Sequence, residues 1–400
     1  MISRAICFFA VGCFPLVADD WPIYRGPNHD GISKETGWTS KWPASGPKRL
    51  WSAKVGIGFS SISVADGRAY TMGNAKDQDT VYCFEAVSGK KLWSHSYNAD
   101  LGRLYYNGGP SVTPTVDGNR VYTLSRFGDL FCFDAASGKI VWQRNITKEE
   151  KLRQGDWGYS GSPFPYGKLL LLNAGPAGLA VDKMTGKTIW KSGEAEPGYS
   201  TPYPYKSGGR EYFIFSSGEG FAGVEPMSGK RIWFFGWPTR YGVNAADPIV
   251  VGDQVFVSSG YSKGAGMFRL KPGEPEELWK DRKFRTQLNT AVLIDGYLYG
   301  PDGDSNSKAY FKCLDWKTGK LQWETQELGF ASVIASQGKL IVLSPKGDLM
   351  VGPASPKGFK AIAKAKVIGG KCWTVPTLAN GRIYVRNAAG DLVCIDVSGK

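Results

Sequence analysis

Histidine is nearly absent from this chain, with His29 and His95 the two in 400 residues. That scarcity argues against a histidine-rich metal centre and against a serine–histidine–aspartate triad spread over distant segments. Charged residues are 21% of the total, too few for a coiled coil or a long array of solvated helices. No run of five basic residues occurs, so the net charge of +13 reads as scattered lysines rather than as a nucleic-acid-binding patch. Adjacent cysteines and Cys-x-x-Cys-His are both missing, which removes an attached c-type haem. Apolar stretches are short: Ala5–Val17 is too brief to cross a bilayer, and no later run reaches the ~18 residues needed.

Aromatic residues, by contrast, make up 13% of the chain, and 52 Gly and 23 Pro supply many tight turns. This composition points to an all-β fold with a large core. At the N-terminus, Arg4 precedes the apolar Ala5–Val17, and Ala18 offers a cleavage site before Asp19-Asp20. Residues 1–18 therefore read as a signal peptide of a secreted or periplasmic protein, although Leu16 is large for its position. In an alternative reading, Ala10-Val11-Gly12-Cys13 is a lipobox and Cys13 carries a lipid anchor to the outer membrane.

Internal repetition fixes the architecture. The segments Ser88-Gly89-Lys90, Ser137-Gly138-Lys139, Thr185-Gly186-Lys187, Ser228-Gly229-Lys230 and Thr318-Gly319-Lys320 each run into a strand ending at Trp93, Trp142, Trp190, Trp233 and Trp323. With Trp51 and Trp279 included, the tryptophans recur every 42 to 49 residues, the length of four short strands. Within each unit, Asp-Gly, Gly-Asp and Ser-Gly-Lys turns separate alternating strands, as in Arg120–Leu124 and Leu130–Asp134. Such a sheet cannot bury both faces alone, whereas sheets packed radially in a ring can. Eight units are expected, entering near Ser60, Ser111, Ser162, Thr201, Ala246, Thr290, Ser332 and Thr374. The seventh lacks a closing Trp, and the eighth stops at Ser398-Gly399-Lys400, while the missing strand stands at the other end as Lys48-Arg49-Leu50-Trp51. The sequence thus predicts residues 19–46 as an arm and 47–400 as an eight-bladed β-propeller of four-stranded antiparallel blades, closed by an N-terminal strand.

Ala180, Asp182, Thr185, Gly186 and Trp190 give the cleanest copy of a motif Ala-x-Asp-x-x-Thr-Gly-x-x-x-Trp. This resembles the repeat of the pyrroloquinoline-quinone (PQQ) propellers, a likeness that covers about residues 47–400. The stretch Asp20-Trp21-Pro22-Ile23-Tyr24-Arg25-Gly26 looks like the head of secreted PQQ-like propellers of unassigned function and of some polyvinyl-alcohol dehydrogenases. The resemblance implies that the repeat tryptophans dock between blades. It also implies either a non-catalytic scaffold, similar to the propeller lipoprotein of the outer-membrane assembly machinery, or a PQQ- and calcium-dependent dehydrogenase of an alcohol or polymer. The calcium ligands of the dehydrogenases find no matching Glu–Asn–Asp set here.

Four cysteines, Cys83, Cys132, Cys313 and Cys394, share one repeat position and are expected to be unpaired core residues, too far apart for disulfides. Asp302-Gly303-Asp304-Ser305-Asn306-Ser307 starts like a calcium loop but has Cys313 where a bidentate Glu belongs, and reads as a polar turn. Residues entering each first strand line the funnel of a propeller. The candidates are Asn107, Trp157, Tyr159, Tyr199, Tyr241, Asn244, Asn289 and Trp373, with Arg25, Asn28 and His29 of the arm as a lid or as packing on one face. Phe59, Tyr105, Tyr106, Gln287 and Phe330 fall in the same windows. A ring of aromatics and amides suits a glycan or a planar ligand. The expectation is a monomeric binding or scaffold module with no catalytic residues, metal or cofactor, and no nucleic acid. Its funnel face would take a protein partner, a small molecule or a glycan. The alternatives are the PQQ–calcium dehydrogenase and a polysaccharide-processing propeller.

Overall fold

A computed structural model describes residues 19–102, 106–303 and 308–399. Residues 1–18, read above as a signal peptide or a lipobox with Cys13, together with Tyr105 and Asp304-Ser305-Asn306-Ser307 of the calcium-like turn, lie outside the described residues. Among those described, the chain forms eight sheets, seven antiparallel with four strands and one of five, and a single helical turn at Ile146–Glu149. Seven blades are built from four consecutive strands each, the first being Ser63–Ala65, Arg68–Ala75, Gln78–Glu85 and Lys91–Asn98. The eighth combines Thr377–Ala379, Arg382–Arg386 and Asp391–Asp396 with the N-terminal strand Arg49–Lys54, in which Trp51 pairs with Cys394 and Lys54 with Asp391. The chain therefore closes its own ring, as the split motif predicts.

Several joints between blades repeat one device. The Trp93 indole covers Gly138 of the next blade so closely that a Cβ there would stand 2.5 Å from the ring, and its Nε1 donates to Ala135 O at 3.0 Å. Trp51 does the same to Gly89 and Ala86 O, and Trp142 to Gly186 and Lys183 O. Each of these glycines has φ near +70°, a conformation in which a side chain is strained in any case. A tyrosine on the second strand donates to the same carbonyl: Tyr70 to Ala135 O, Tyr122 to Lys183 O and Tyr384 to Ala86 O. Cys83, Cys132 and Cys394 sit directly opposite these tyrosines, and all five described cysteines are buried and free. A small side chain at that position leaves room for the tyrosine ring, and burial pushes the thiols well above their ordinary range.

The arm departs from the expectation of a lid. It runs through the centre of the ring and hydrogen-bonds to the inner strands. Trp21 exchanges both main-chain bonds with Val64 of the first blade, Pro22 O accepts from Val116 N of the second, and Gly31 O accepts from Ala335 N of the seventh. Ile32–Ser33 adds a parallel fifth strand to Ser332–Ser336. The physical reason is that inner strands converge at the axis with one edge unpaired, and those buried N–H and C=O groups need partners. Arg25 is buried, with φ +64°, and its guanidinium donates to Thr290 O, Ala291 O, Asp30 O and His29 O. His29 stacks on Phe164 at 4.3 Å, and burial holds its imidazole down to about 3, hence neutral. Trp38 then donates to Ser336 Oγ and, with Trp42, packs at the joint of blades seven and eight, where the seventh blade has no Trp of its own.

Deleting residues 19–55 removes the closing strand, Trp51 and the axial arm together. The loss should exceed the ~3–5 kcal/mol of a buried tryptophan truncation, because ladder bonds go as well. An unchanged denaturant midpoint would mean that the ring closes some other way.

Glu35 clips the end of the arm to the eighth blade, its carboxylate accepting from Gly381 N. Burial raises this carboxyl from 4.5 to about 7, against hydrogen bonds from Gly381 and Asn380. Its contribution to stability is present below pH 4.5 and lost as pH rises through 7. Compared with Glu35→Gln, the wild type should lose on the order of 2 kcal/mol between pH 4.5 and 8. Parallel pH profiles in urea denaturation would contradict this.

Candidate functional site: an axial cavity

The residues that enter the first strands form a belt of hydrogen bonds around the axis. Ser61 N donates to Thr113 Oγ1, Thr113 N to Ser162 Oγ, and Ser162 N to Thr201 Oγ1. Thr201 N then donates to Asp247 Oδ1 at 2.8 Å, and Asp247 N to Thr290 Oγ1 at 2.8 Å. Ser61 Oγ, Ser332 Oγ and Thr374 Oγ1 continue the belt to Val375 O, Thr374 O and Phe59 O. Each blade thereby fixes the entry strand of the next. Asp247 is the one acid at a position that six other blades fill with serine or threonine and the eighth with Val375.

Above the belt lies a cavity of about 340 Å³, floored by Tyr24 of the arm and lined from seven of the eight blades. It has two aromatic walls. On one side Phe59 packs against Tyr106 at 5.7 Å and Trp373 at 5.9 Å, with Phe330 edge-on behind Trp373. On the other, Trp157 meets Tyr199 edge-on at 5.9 Å and Tyr241 at 6.4 Å, and Tyr241 meets Tyr261 at 5.0 Å. Four polar atoms on residues of the lining are buried without a hydrogen-bond partner: Asp247 Oδ2, Gln287 Oε1, Asn289 Nδ2 and Trp373 Nε1. An unmade hydrogen bond costs about 1–3 kcal/mol per buried group, so four of them in one cavity mark a place prepared for a ligand or water. Burial, opposed by Arg25 and by the hydrogen bond from Thr201, pushes the Asp247 carboxyl up to about 6.

Of the candidates named from sequence, Trp157, Tyr199, Asn289 and Trp373 line this cavity. Tyr241 is half exposed at the rim, touching Trp157 and Tyr261. Asn107 is exposed outside it, and Arg25 is buried in the axial arm outside the lining. Tyr159 belongs to the core around Val112 and Leu152, and Asn244 is consumed by Ser217 O, Trp237 O and Ser259 Oγ. Sequence reasoning missed Tyr24, Tyr261 and Asp247. The signal for Asp247 was present: the residue before the entry proline is Thr113, Ser162, Thr201 and then Asp247. Asp302 of the calcium-like turn is buried between Arg285 at 3.1 Å and Lys312 at 3.0 Å, so its charge is already answered.

With eight stapled blades and the axial cavity in view, the family can be assigned. A family model described as outer membrane protein assembly factor BamB, named PQQ_2, matches residues 77–325. The chain belongs to this family. Its fold is shared by BamB from Moraxella catarrhalis, with TM-score 0.63 and 15% identity over 88% of this chain and 99% of that one. A europium-containing methanol dehydrogenase matches with TM-score 0.70 and 13% identity, covering 92% and 89%. The quinohemoprotein alcohol dehydrogenase from Comamonas testosteroni gives 0.67 and 14%, covering 95% and 81%. A computationally designed protein, Ika8, also matches with TM-score 0.61 and 9% identity. PQQ_2 membership therefore fixes the architecture and leaves activity to the site. No curated protein matches the sequence.

PQQ itself is a planar quinone with three carboxylates. The lining of the cavity contains no Lys or Arg and one carboxylate, Asp247. Among the described residues no group of three or more His, Cys, Asp or Glu could hold a metal ion. These residues do not fit a trianionic cofactor with calcium.

Proposed function

We propose that this chain is a non-catalytic binding propeller that takes a small ligand in the axial cavity of its funnel face. The observation that carries this reading is the set of four unpartnered buried polar atoms between two aromatic walls. Aromatic surface supplies contact at low entropic cost, and a few fixed polar groups orient what enters. The lysines of the repeat turns, Lys90, Lys139, Lys187, Lys230 and Lys320, are exposed and spread over separate blades, so they form no single recognition surface. Action outside the cytoplasm, in the periplasm or beyond, is supported by the signal-like N-terminus and by the description of the family. Five buried thiols with no disulfide are compatible with that location, because their pKa values are raised and they are shielded from oxidants. Among the described residues no helix is long and apolar enough to cross a membrane.

The test is ligand-observed NMR with a panel of neutral, cationic and anionic fragments. Trp157 is the informative position because it is only half-buried, whereas Tyr199 is 8% exposed and its removal would disturb the fold as well. Fragment signals should disappear with Trp157→Ala and survive Lys139→Gln and Lys187→Gln. Dye-linked alcohol oxidation should stay at background when PQQ and calcium are added. A saturable, PQQ- and calcium-dependent rate, or binding controlled by the turn lysines, would overturn the reading.

A further inference from the structure

Asp247 has more binding capacity than the ring uses. The belt needs one oxygen at this position to accept from Thr201 N, and Oδ1 provides it. Thr113, Ser162, Thr201 and Thr290 meet the same need elsewhere with a hydroxyl. The second oxygen, Oδ2, is buried and unpartnered, on a residue that lines the cavity and is only 4% exposed. A carboxylate kept where a hydroxyl would serve the fold is costly to bury and needs a positive partner to offset that cost.

Within the protein the positive group that acts on Asp247 is Arg25, through space and without a direct ion pair. Its guanidinium is engaged by four main-chain carbonyls. The cations of the mouth lie outside the lining: Lys371 Nζ stands 4.4 Å over the Trp373 ring, Arg240 covers Tyr241 at 5.1 Å, and Arg126 reaches the Tyr106 hydroxyl. Polarity thus runs from positive at the rim to negative at the inner end. Between them stand Trp157, Tyr199 and Tyr261 on one wall and Phe59, Tyr106 and Trp373 on the other. Aromatic faces grouped around one acid are the chemistry that holds an ammonium ion.

Building on the binding reading above, we infer that the cavity takes a small organic cation, its ammonium head against Asp247 between the two aromatic walls. A substituted ammonium is favoured over an inorganic ion because the walls offer ring faces and methyl-sized space rather than a shell of oxygens. The amides of Gln287 and Asn289, each with one unpartnered atom, stand ready for a polar group elsewhere on the same ligand.

Binding should depend on pH through Asp247. The charged or titratable groups that face it are Arg25 and Tyr24 of the arm, with Tyr203 of the fourth blade and Asp30 beside it. Burial raises both tyrosine hydroxyls, away from the range between pH 5 and 7.5, and it also raises the Asp30 carboxyl, so the Asp247→Asn comparison is what assigns the pH dependence to Asp247. Asp247, held up to about 6, is mostly protonated at pH 5 and ionised at pH 7.5, and the ionised form is the one that attracts a cation.

Choline and its uncharged isostere 3,3-dimethylbutan-1-ol are suitable probes, titrated calorimetrically into the full folded chain and into Asp247→Asn. Asparagine keeps the oxygen that accepts from Thr201 N, and near-UV circular dichroism checks that the cavity is intact. Choline should bind saturably at pH 7.5, at least about tenfold more tightly than the alcohol, and about tenfold more weakly at pH 5. Asp247→Asn should abolish both the preference and the pH dependence. Equal binding of choline and the alcohol, or choline binding unchanged by Asp247→Asn, overturns the cation assignment while the binding reading stands. Failure of choline to bind, with Trp157-dependent fragment signals still present, overturns it in the same way. Loss of every Trp157-dependent signal removes the binding reading itself.

Discussion

The contact on which everything else rests is an indole ring laid over a glycine. At five of the joints the tryptophan of the outer strand crosses to the neighbouring blade and covers a glycine that has no room for a Cβ, as Trp93 covers Gly138 and Trp190 covers Gly229. The indole N–H fixes its height by donating to a main-chain carbonyl of the same turn, at Ala135 for Trp93 and Pro226 for Trp190. Burial of so large a ring is worth several kcal/mol per joint, and the hydrogen bond gives it one angle. Repeating one angle around a ring determines how many blades close it. Where the contact is altered, the chain compensates. Trp233 donates instead to Tyr205 Oη, and the seventh blade, without its own Trp, borrows Trp38 and Trp42 from the arm.

Function follows from what this stapling does at the axis. The outer joints set the blade spacing, and the hydroxyl belt transmits it inward, so that eight inner strands converge with unpaired edges. Those edges are met by the arm, which turns an open channel into a cavity closed at one end by Tyr24. The same constraint explains why aromatics gather there. The connections that enter the inner strands vary at the funnel face, and they carry Trp157, Tyr199 and Trp373 to a common centre.

The ring and its closure were legible because they are periodic. Gly and Trp recur at fixed spacing, and a Lys-Arg-Leu-Trp strand at one terminus completes a Ser-Gly-Lys turn at the other. The free cysteines were legible for the same reason, although their tyrosine partners were not, since Tyr70 and Cys83 are adjacent only across a ladder. For the arm the sequence left a lid and packing on one face open, because the burial of Arg25 and His29 depends on carbonyls of Thr290 and Ala291 and on the ring of Phe164, far away in the chain. Asp247 is neither aromatic nor amide and stands three positions beyond Asn244, where the belt crosses the entry strand, so the pattern of funnel aromatics and amides does not reach it.

A double-mutant cycle at one joint tests the central contact most directly. Gly138→Ala introduces a methyl 2.5 Å from the Trp93 ring, so it must pay both for the clash and for its φ of +70°. In a Trp93→Leu background the clash with the indole is gone, and the cost of Gly138→Ala should fall to the ~1 kcal/mol of backbone strain alone. The two substitutions should therefore be strongly non-additive in denaturant unfolding. Simple additivity would show that tryptophan and glycine stabilise the ring independently, and that the staple is not what sets its geometry.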